Sequence, residues 1–271
     1  MGGIVLAADY HMHIENGSPE PAYLRLYAEA ARRAGLSDYG ISEHLHNLDR
    51  GPSLLGRPLP EGIPLLGWST PAYIEAVKAS GAKAGVEADY IPETENELRD
   101  YLESNPYDYC IGSVHWLEGW VFDWKSEAWE GMSVEDVWRS YFKTAIKAVS
   151  TGMFDIFGHP DVIKVFGIKP GPAFDEELGG WYKALAEAAA GSDTCLEVSS
   201  AGLRKPVGEY YPGKGLLKAA FEAGCHISLA SDAHFPEHVA YGFADLVEYA
   251  KSAGFAWAAT FSERKRSLIR L

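Results

Sequence analysis

The sequence predicts an α/β fold in which parallel strands form a barrel and helices wrap its outside. Three observations predict it. Short apolar runs of strand character alternate with stretches of helical period along all 271 residues, and this alternation favours a parallel sheet covered by helices. The length suits one barrel domain, residues 1–271, better than two nucleotide-binding halves. No glycine-rich dinucleotide fingerprint follows the first strand, and no Walker A loop occurs anywhere.

The elements follow in order. An apolar run over 4–8 predicts a buried strand leading into Asp9-Tyr10-His11-Met12-His13. Alternation along it would turn Asp9, His11 and His13 to one face, which makes half a metal site. Residues 21–33 carry Leu24, Tyr27, Ala28 and Ala31 at helical spacing and end at Gly35. A strand over 39–42 runs into Glu43 and His44. The stretch 47–71 is rich in Gly and Pro and predicts a lid or pocket wall. A helix over 70–81 has Thr70 as its N-cap and Pro71 at its first position. A strand over 84–86 ends at Glu87, and a helix over 94–104 stops before Asn105-Pro106.

The second half repeats the pattern. A strand over 109–114 ends at His115, and the loop after it holds Trp116, Trp120, Trp124 and Trp129. A helix over 133–150 opens with a capping box of Ser133 and Asp136. A strand over 154–158 precedes His159-Pro160-Asp161, and 174–190 is helical. A strand over 195–199 leads to Gly202-Leu203-Arg204-Lys205-Pro206, and 215–223 is a helix closed by Gly224. A strand over 226–230 ends at Ser231-Asp232-Ala233-His234. A helix over 237–252 and a last strand over 255–260 follow. Arg264-Lys265-Arg266 then reads as a charged helix end.

Composition excludes several partners. The formal net charge of −14 repels nucleic acid and anionic membranes. A small phosphorylated substrate would need a local positive site, such as metal ions. Cys110, Cys195 and Cys225 show no CxxC spacing, which predicts reduced thiols in the cytoplasm. No apolar run reaches transmembrane length and no signal peptide is expected. Leu6 breaks the myristoylation pattern. The oligomeric state is not legible.

The polar residues fall into register with the strands. His11, His13, His44, Glu87, His115, His159, Glu197, Asp232 and His234 all sit at predicted C-terminal strand ends, the active-site face of a (β/α) barrel. Of the nine histidines, six occupy those ends and His46 lies two residues beyond one of them. Imidazole and carboxylate without thiolate suit zinc, manganese or iron. So many donors exceed one ion, since catalytic zinc takes three protein ligands plus water. Two or three divalent ions would share a bridging carboxylate, for which Glu87 and Asp232 are the candidates. Water between such cations becomes hydroxide near neutral pH, and the remaining charge suits a phosphoryl group.

These pieces resemble the PHP (polymerase and histidinol phosphatase) superfamily, in its histidinol-phosphatase branch. The resemblance rests on Asp9-Tyr10-His11-Met12-His13, Ser42-Glu43-His44, Gly85-Val86-Glu87 and Gly112-Ser113-Val114-His115 with Gly119-Trp120-Val121-Phe122-Asp123. It continues through Gly158-His159-Pro160-Asp161, the run from Leu196 to Glu209 containing Gly202-Leu203-Arg204-Lys205-Pro206-Val207-Gly208-Glu209, and Ser231-Asp232-Ala233-His234. It implies a distorted (β/α)7 barrel, usually three divalent metals, and hydrolysis of L-histidinol phosphate in histidine synthesis. It also implies one ion on His11, His13, Glu87 and Asp232, a second on Glu87, His115 and His159, and a third on His44, His234 and one more ligand. The branch usually has a further histidine soon after the first pair, and residues 14–21 contain none. Glu15, Glu20 or His46 could replace it, and Glu20 sits nearest the expected position. Ser199 stands where the branch often has Asn.

Other residues have candidate roles. Arg204 offers a bidentate fork to phosphate, with Lys205 beside it. Ser113 could donate to phosphate. Asp161 could orient an imidazole or protonate the leaving oxygen, and His234 is the other candidate acid. Trp116 and its neighbours could wall a leaving-group pocket, with Glu118 or Asp123 facing a substrate amine. A PHP phosphoesterase acting on a nucleotide or sugar phosphate is the alternative, and a non-catalytic metal-binding module is a third.

Overall fold

The computed structural model describes residues 7–271. Seven parallel strands follow one another in chain order around a central sheet. They are β1 (Ala8–Asp9), β2 (Asp38–His44), β3 (Lys83–Asp89), β4 (Tyr109–Ser113) and then, after a small hairpin of β5 (Trp116–Leu117) and β6 (Trp120–Val121), β7 (Ile156–Phe157), β8 (Cys195–Ser199) and β9 (Ile227–Ala230). The first and last strands meet. Ala233 N–H donates to His11 O at 3.2 Å and His13 N–H to Ala233 O at 2.8 Å. Met12 bridges Ala233 in parallel register, so the sheet is a nearly closed barrel. Of the expected first strand, Ile4 to Leu6 lie outside the described residues, as does the start of the chain.

Helices cover the outside: α1 (Pro21–Ala34), α2 (Gly51–Leu55), α3 (Thr70–Ala79), α4 (Glu95–Ser104), α5 (Val134–Ser150), α6 (Asp175–Gly191), α7 (Lys214–Glu222) and α8 (Phe243–Ser252). Each presents one apolar stripe inward, as an amphipathic helix must. On α5 the stripe is Val137, Trp138, Tyr141, Phe142, Ala145, Ala148 and Val149. Gly35 and Gly224 close α1 and α7 with positive φ, as their positions predict.

Local chemistry departs from expectation at several ends. Ser69, not Thr70, precedes α3, and the Thr70 hydroxyl donates to Asp49 Oδ1 at 2.7 Å. Ser133 caps α5 by accepting from Asp136 N–H at 3.3 Å. The Asp136 carboxylate turns to Arg139 Nη1 at 2.8 Å instead, so half of the capping box forms. The helix expected from 237 begins only at Phe243, because a short turn over Pro236–His238 and Gly242 at φ 65° intervene. The last strand, β10 (Trp257–Ser262), stays out of the barrel sheet and pairs antiparallel with β11 (Lys265–Arg270). Arg264-Lys265-Arg266 is therefore a hairpin turn and strand. Glu263 and Arg264 both hold positive φ, the geometry a two-residue hairpin favours. Neither is Gly or Asn, so no turn signal marks it. The charges pin the hairpin instead: Arg264 pairs with Asp155, and Arg266 Nη2 donates to Asp193 Oδ1 at 2.6 Å.

That hairpin closes the N-terminal end of the barrel. Ala259 and Phe261 pack on Ala8, Tyr10, Tyr109, Ile111, Ile156 and Cys195, a layer separate from the apolar mass beneath the helices. Tyr109 fills the barrel axis and donates its hydroxyl to Tyr10 O at 2.6 Å. Gly40 and Gly85 make room for it, since a Cβ on Gly40 would meet the Tyr109 hydroxyl, and one on Gly85 its ring, each at 2.3 Å. The layers above this plug are polar, and they form the site. Gly85→Ala should therefore lower the unfolding free energy by about 1–3 kcal/mol through overpacking, read as a lower denaturation midpoint. An unchanged midpoint would show that the tyrosine does not fill the axis.

Candidate metal centre

Period-two alternation aims one set of side chains into the barrel. On β3 it takes Gly85, Glu87 and Asp89; on β4, Tyr109, Ile111 and Ser113; on β8, Cys195, Glu197 and Ser199. The lower members join the plug, and the upper members meet the histidines. Glu87, with a side chain 1% exposed, is the centre. His159 Nε2 lies 3.0 Å from its Oε1 and His11 Nε2 3.3 Å, while His44 Nδ1 lies 2.8 Å from its Oε2. His115 Nε2 is 3.7 Å from Oε1 and 3.3 Å from His159 Nε2. His13 Nε2 stands 3.3 Å from Asp232 Oδ1, and His234 Nε2 3.4 Å from the same oxygen.

These distances fit ions. Donors at about 2.0–2.1 Å from one tetrahedral zinc stand about 3.3 Å apart. His11, His13 and Asp232 offer donors within reach of one ion, as do His11, Glu87 and His159, and His13, His44 and His234. His11 Nε2 and both nitrogens of His13 are buried without a hydrogen-bond partner among the described residues. Buried polar atoms are normally satisfied, so these are places for cations. His159 and Asp232 also hold positive φ of 26° and 51°, a backbone strain characteristic of functional positions.

Carboxylates behind two of the rings aim them. Glu197 Oε2 accepts from His11 Nδ1 at 2.6 Å, and Asp89 Oδ1 from His115 Nδ1 at 2.7 Å. Such bonds fix the tautomer and leave Nε2 free to ligate. Glu43 ties down the backbone instead, accepting from Ile14 N–H and His44 N–H, each at 2.8 Å. Asp89 was not anticipated from sequence; its one signal is the two-residue step from Glu87 on the same face.

Several expected residues lie elsewhere. Asp9 does not join its neighbours: the strand ends there, and the loop after β9 takes its carboxylate. Its carboxylate accepts from Ser231 N–H at 2.9 Å and Ala240 N–H at 3.0 Å, and burial raises its pKa to about 6. Ser113 donates to Glu87 Oε1 at 2.6 Å, so its hydroxyl supports the carboxylate. A Cβ on Gly158 would strike that hydroxyl at 2.7 Å. Asp161 is buried against Lys164 Nζ at 2.8 Å and Gly213 N–H at 2.7 Å, away from the cavity wall. Arg204 Nη2 donates to Ser231 O at 2.7 Å and Asp232 O at 2.9 Å, gripping the loop that carries Asp232. Glu20 is exposed ahead of α1, and Glu15 reaches the cluster instead, 2.7 Å from His234 Nδ1.

The cluster forms one wall of an open cavity of about 270 Å³. Leu59, Ile63, Trp116, Trp124, Lys205 and Asp123 also line it. The expected Gly/Pro-rich wall is present, and it is partly structured by α2. Trp120 and Trp129 pack on each other, at 5.8 Å between centroids.

Burial opposes ionisation of Glu87 and Asp232, but the surrounding imidazoles hold both well below the usual carboxylate range. Burial likewise opposes charge on His115 and His234. Asp89 and Asp123 outweigh it at His115, and Asp232 and Glu15 at His234, raising each to about 10. His46 is pushed the other way, to about 4, by burial and by His44.

The family profile described as PHP domain matches residues 9–201. A protein of Deinococcus radiodurans named a probable histidinol-phosphatase is 34% identical over 268 residues, covering 95% of this chain and 97% of its own. A Bacillus subtilis histidinol-phosphatase is 27% identical over 271 residues, covering 89% and 98%. The solved histidinol phosphate phosphatase of Lactococcus lactis, in complex with zinc, L-histidinol and phosphate, superposes with a TM-score of 0.72 at 22% identity, over 96% of this chain and 98% of that one.

The pKa pattern predicts a pH effect. A histidine raised from 6.5 to about 10 stabilises the metal-free fold below 6.5, and that stabilisation is lost as pH climbs through 10. Chelator-treated protein should therefore lose melting temperature over this range. Zinc-loaded protein should lose less, because bound ions displace those protons. Equal slopes for the two forms would contradict ion binding at these imidazoles.

Proposed function

The chain belongs to the PHP family, and on that premise we propose that it is a metal-dependent phosphomonoesterase that hydrolyses L-histidinol phosphate to L-histidinol and phosphate, within histidine synthesis in the cytoplasm. The observation that carries the reading is the convergence of imidazoles and carboxylates from distant strands on Glu87 and Asp232, beside a cavity that apolar side chains also line. His11, His13, Glu87 and Asp232 would hold one ion, and Glu87, His115 and His159 a second. Zinc, manganese or iron bound there supplies an acidified water and offsets the charge of a phosphoryl group.

This chain's own residues do the rest. Glu197 and Asp89 hold His11 and His115 in the ligating tautomer. Arg204 fixes the backbone of Asp232, and Lys205 brings an ammonium to the cavity edge where phosphate oxygens would lie. Asp123 Oδ2 is 4.0 Å from His115 Nε2 and faces the same cavity. Its carboxylate would receive the substrate's ammonium. Trp116 and Trp124 then offer flat apolar faces to an imidazole. No helix among the described residues is long and apolar enough to cross a membrane.

Purified protein loaded with zinc, manganese or iron should release phosphate from L-histidinol phosphate with a kcat/KM above that for a nucleotide monophosphate or a sugar phosphate. A higher ratio for one of those esters transfers the reading to that substrate, and no release from any ester removes it. Asp123→Asn should lower kcat/KM for L-histidinol phosphate about 10–100-fold, the equivalent of one charge-assisted hydrogen bond. The same variant should leave p-nitrophenyl phosphate, which has no cation, nearly unaffected. Equal losses on both esters would assign Asp123 to the cluster rather than to recognition.

A further inference from the structure

We propose that His46 recognises the imidazole ring of the substrate, through a hydrogen bond between the two rings, and so sets specificity for the leaving group. The proposal rests on the phosphatase reading above and deepens it. His46 sits in the short turn Leu45–Asn47 that follows β2. Its side chain lines the cavity. Its ring stacks on His44, with centroids 4.9 Å apart and planes 17° from parallel. It joins none of the donor groups within reach of one ion. The backbone there is held tightly: Trp68 N–H donates to Asn47 O at 2.9 Å, and a Cβ on Gly51 would meet His46 Cα at 2.7 Å.

His46 is buried, at 8% exposure, yet its ring makes no hydrogen bond among the described residues. Unlike the nitrogens of His13, its nitrogens are not closed off from water, so both are accessible from the cavity that the ring lines. A buried polar ring is normally satisfied, and here the partner must come from the cavity. Elimination among the lining side chains leads to the same residue. Glu15 and Asp89 are engaged with His234 and His115. Asn47 Nδ2 donates to Glu43 at 3.1 Å, and Asn47 Oδ1 and the Tyr211 hydroxyl are closed off. Lys205 and Asp123 already face the phosphate and the ammonium. That leaves His46 for the third polar part of the substrate, its ring. A neutral imidazole offers one donor and one acceptor, and the substrate's ring offers the same pair. Trp116 and Trp124 carry no acceptor, and their faces alone do not tell imidazole from phenyl.

The test changes the substrate's ring and His46 together. Metal-loaded wild type should prefer L-histidinol phosphate to L-phenylalaninol phosphate, which keeps the phosphate and the ammonium and replaces imidazole by phenyl. His46→Phe keeps a ring to stack on His44 but loses its nitrogens. It should shrink that preference in kcat/KM about 10–100-fold, the range for a buried polar group left unpaired. His46→Gln keeps a donor and an acceptor and should recover part of the preference. Both variants should hold as much metal per chain as wild type by elemental analysis. Circular dichroism checks that the fold persists, and His46→Leu takes the place of His46→Phe if that variant does not fold. No preference in wild type, a preference that survives removal of the nitrogens, or metal lost with them would each overturn the proposal and leave the phosphatase reading standing. No phosphate released from L-histidinol phosphate by metal-loaded wild type would overturn both.

Discussion

Everything at the barrel mouth is arranged around the need to compensate one buried carboxylate. Glu87 has almost no contact with water, and an unpaired charge there would cost several kcal/mol. Imidazoles of His11, His44, His115 and His159 and the Ser113 hydroxyl surround it from different strands. Two of these imidazoles, His11 and His115, are in turn held by outer carboxylates, Glu197 and Asp89. The result is a concentric order: carboxylate, imidazole ring, outer carboxylate, backbone. Such an arrangement is stable with protons on the rings or with divalent cations between them, but not with neither. That choice is the physical basis of a metal centre whose occupancy depends on pH.

The barrel had to be built in two chemical halves for this to work. Below Glu87 the axis is filled by Tyr109 of β4, Tyr10 just past β1 and Phe261 of the terminal hairpin. A dry floor keeps water away from the lower side of the carboxylate and strengthens every interaction above it. The strong negative charge of the whole chain points the same way. An acidic surface would repel a phosphate ester in the absence of cations. The site's positive character must therefore come from ions and from the few bases at the rim, of which Lys205 is one.

Much of this was legible in the sequence because strand ends are marked by periodicity. The histidines and acids that follow the apolar runs lie at the mouth, from His11 to His234, with Asp9 the exception. The seven-stranded barrel followed from the same alternation once the resemblance was set beside it. What stayed hidden depends on neighbours that no local pattern encodes. Asp161 and Asp9 were each spaced for a role in the site, yet Lys164, Gly213 and the backbone of Ser231 and Ala240 claimed them. Arg264-Lys265-Arg266 was read by composition, whereas its fate was decided by Asp155 and Asp193, far away in the chain. Ser113 was available to substrate until Glu87 required its proton.

The same reasoning explains why Glu15 rather than Glu20 reaches the cluster. Spacing along the chain favoured Glu20, which lies closer to where a further ligand is expected. Backbone geometry decides otherwise. Residues 11–14 still run through the barrel wall, with His13 N–H bonded to Ala233 O and Ile14 N–H to Glu43. Glu15 is the first residue past that constraint and remains beside the β9 loop that carries His234. By Glu20 the chain has turned outward to start α1, and its carbonyl accepts from Tyr23 and Leu24 N–H. A carboxylate at residue 15 can therefore stand behind His234 only because the strand delivers it there. A histidine substituted at residue 20 would inherit Glu20's outward direction and stay out of the cluster. The composition of the rim is set by where the barrel wall ends, not by which residue types the following loop contains.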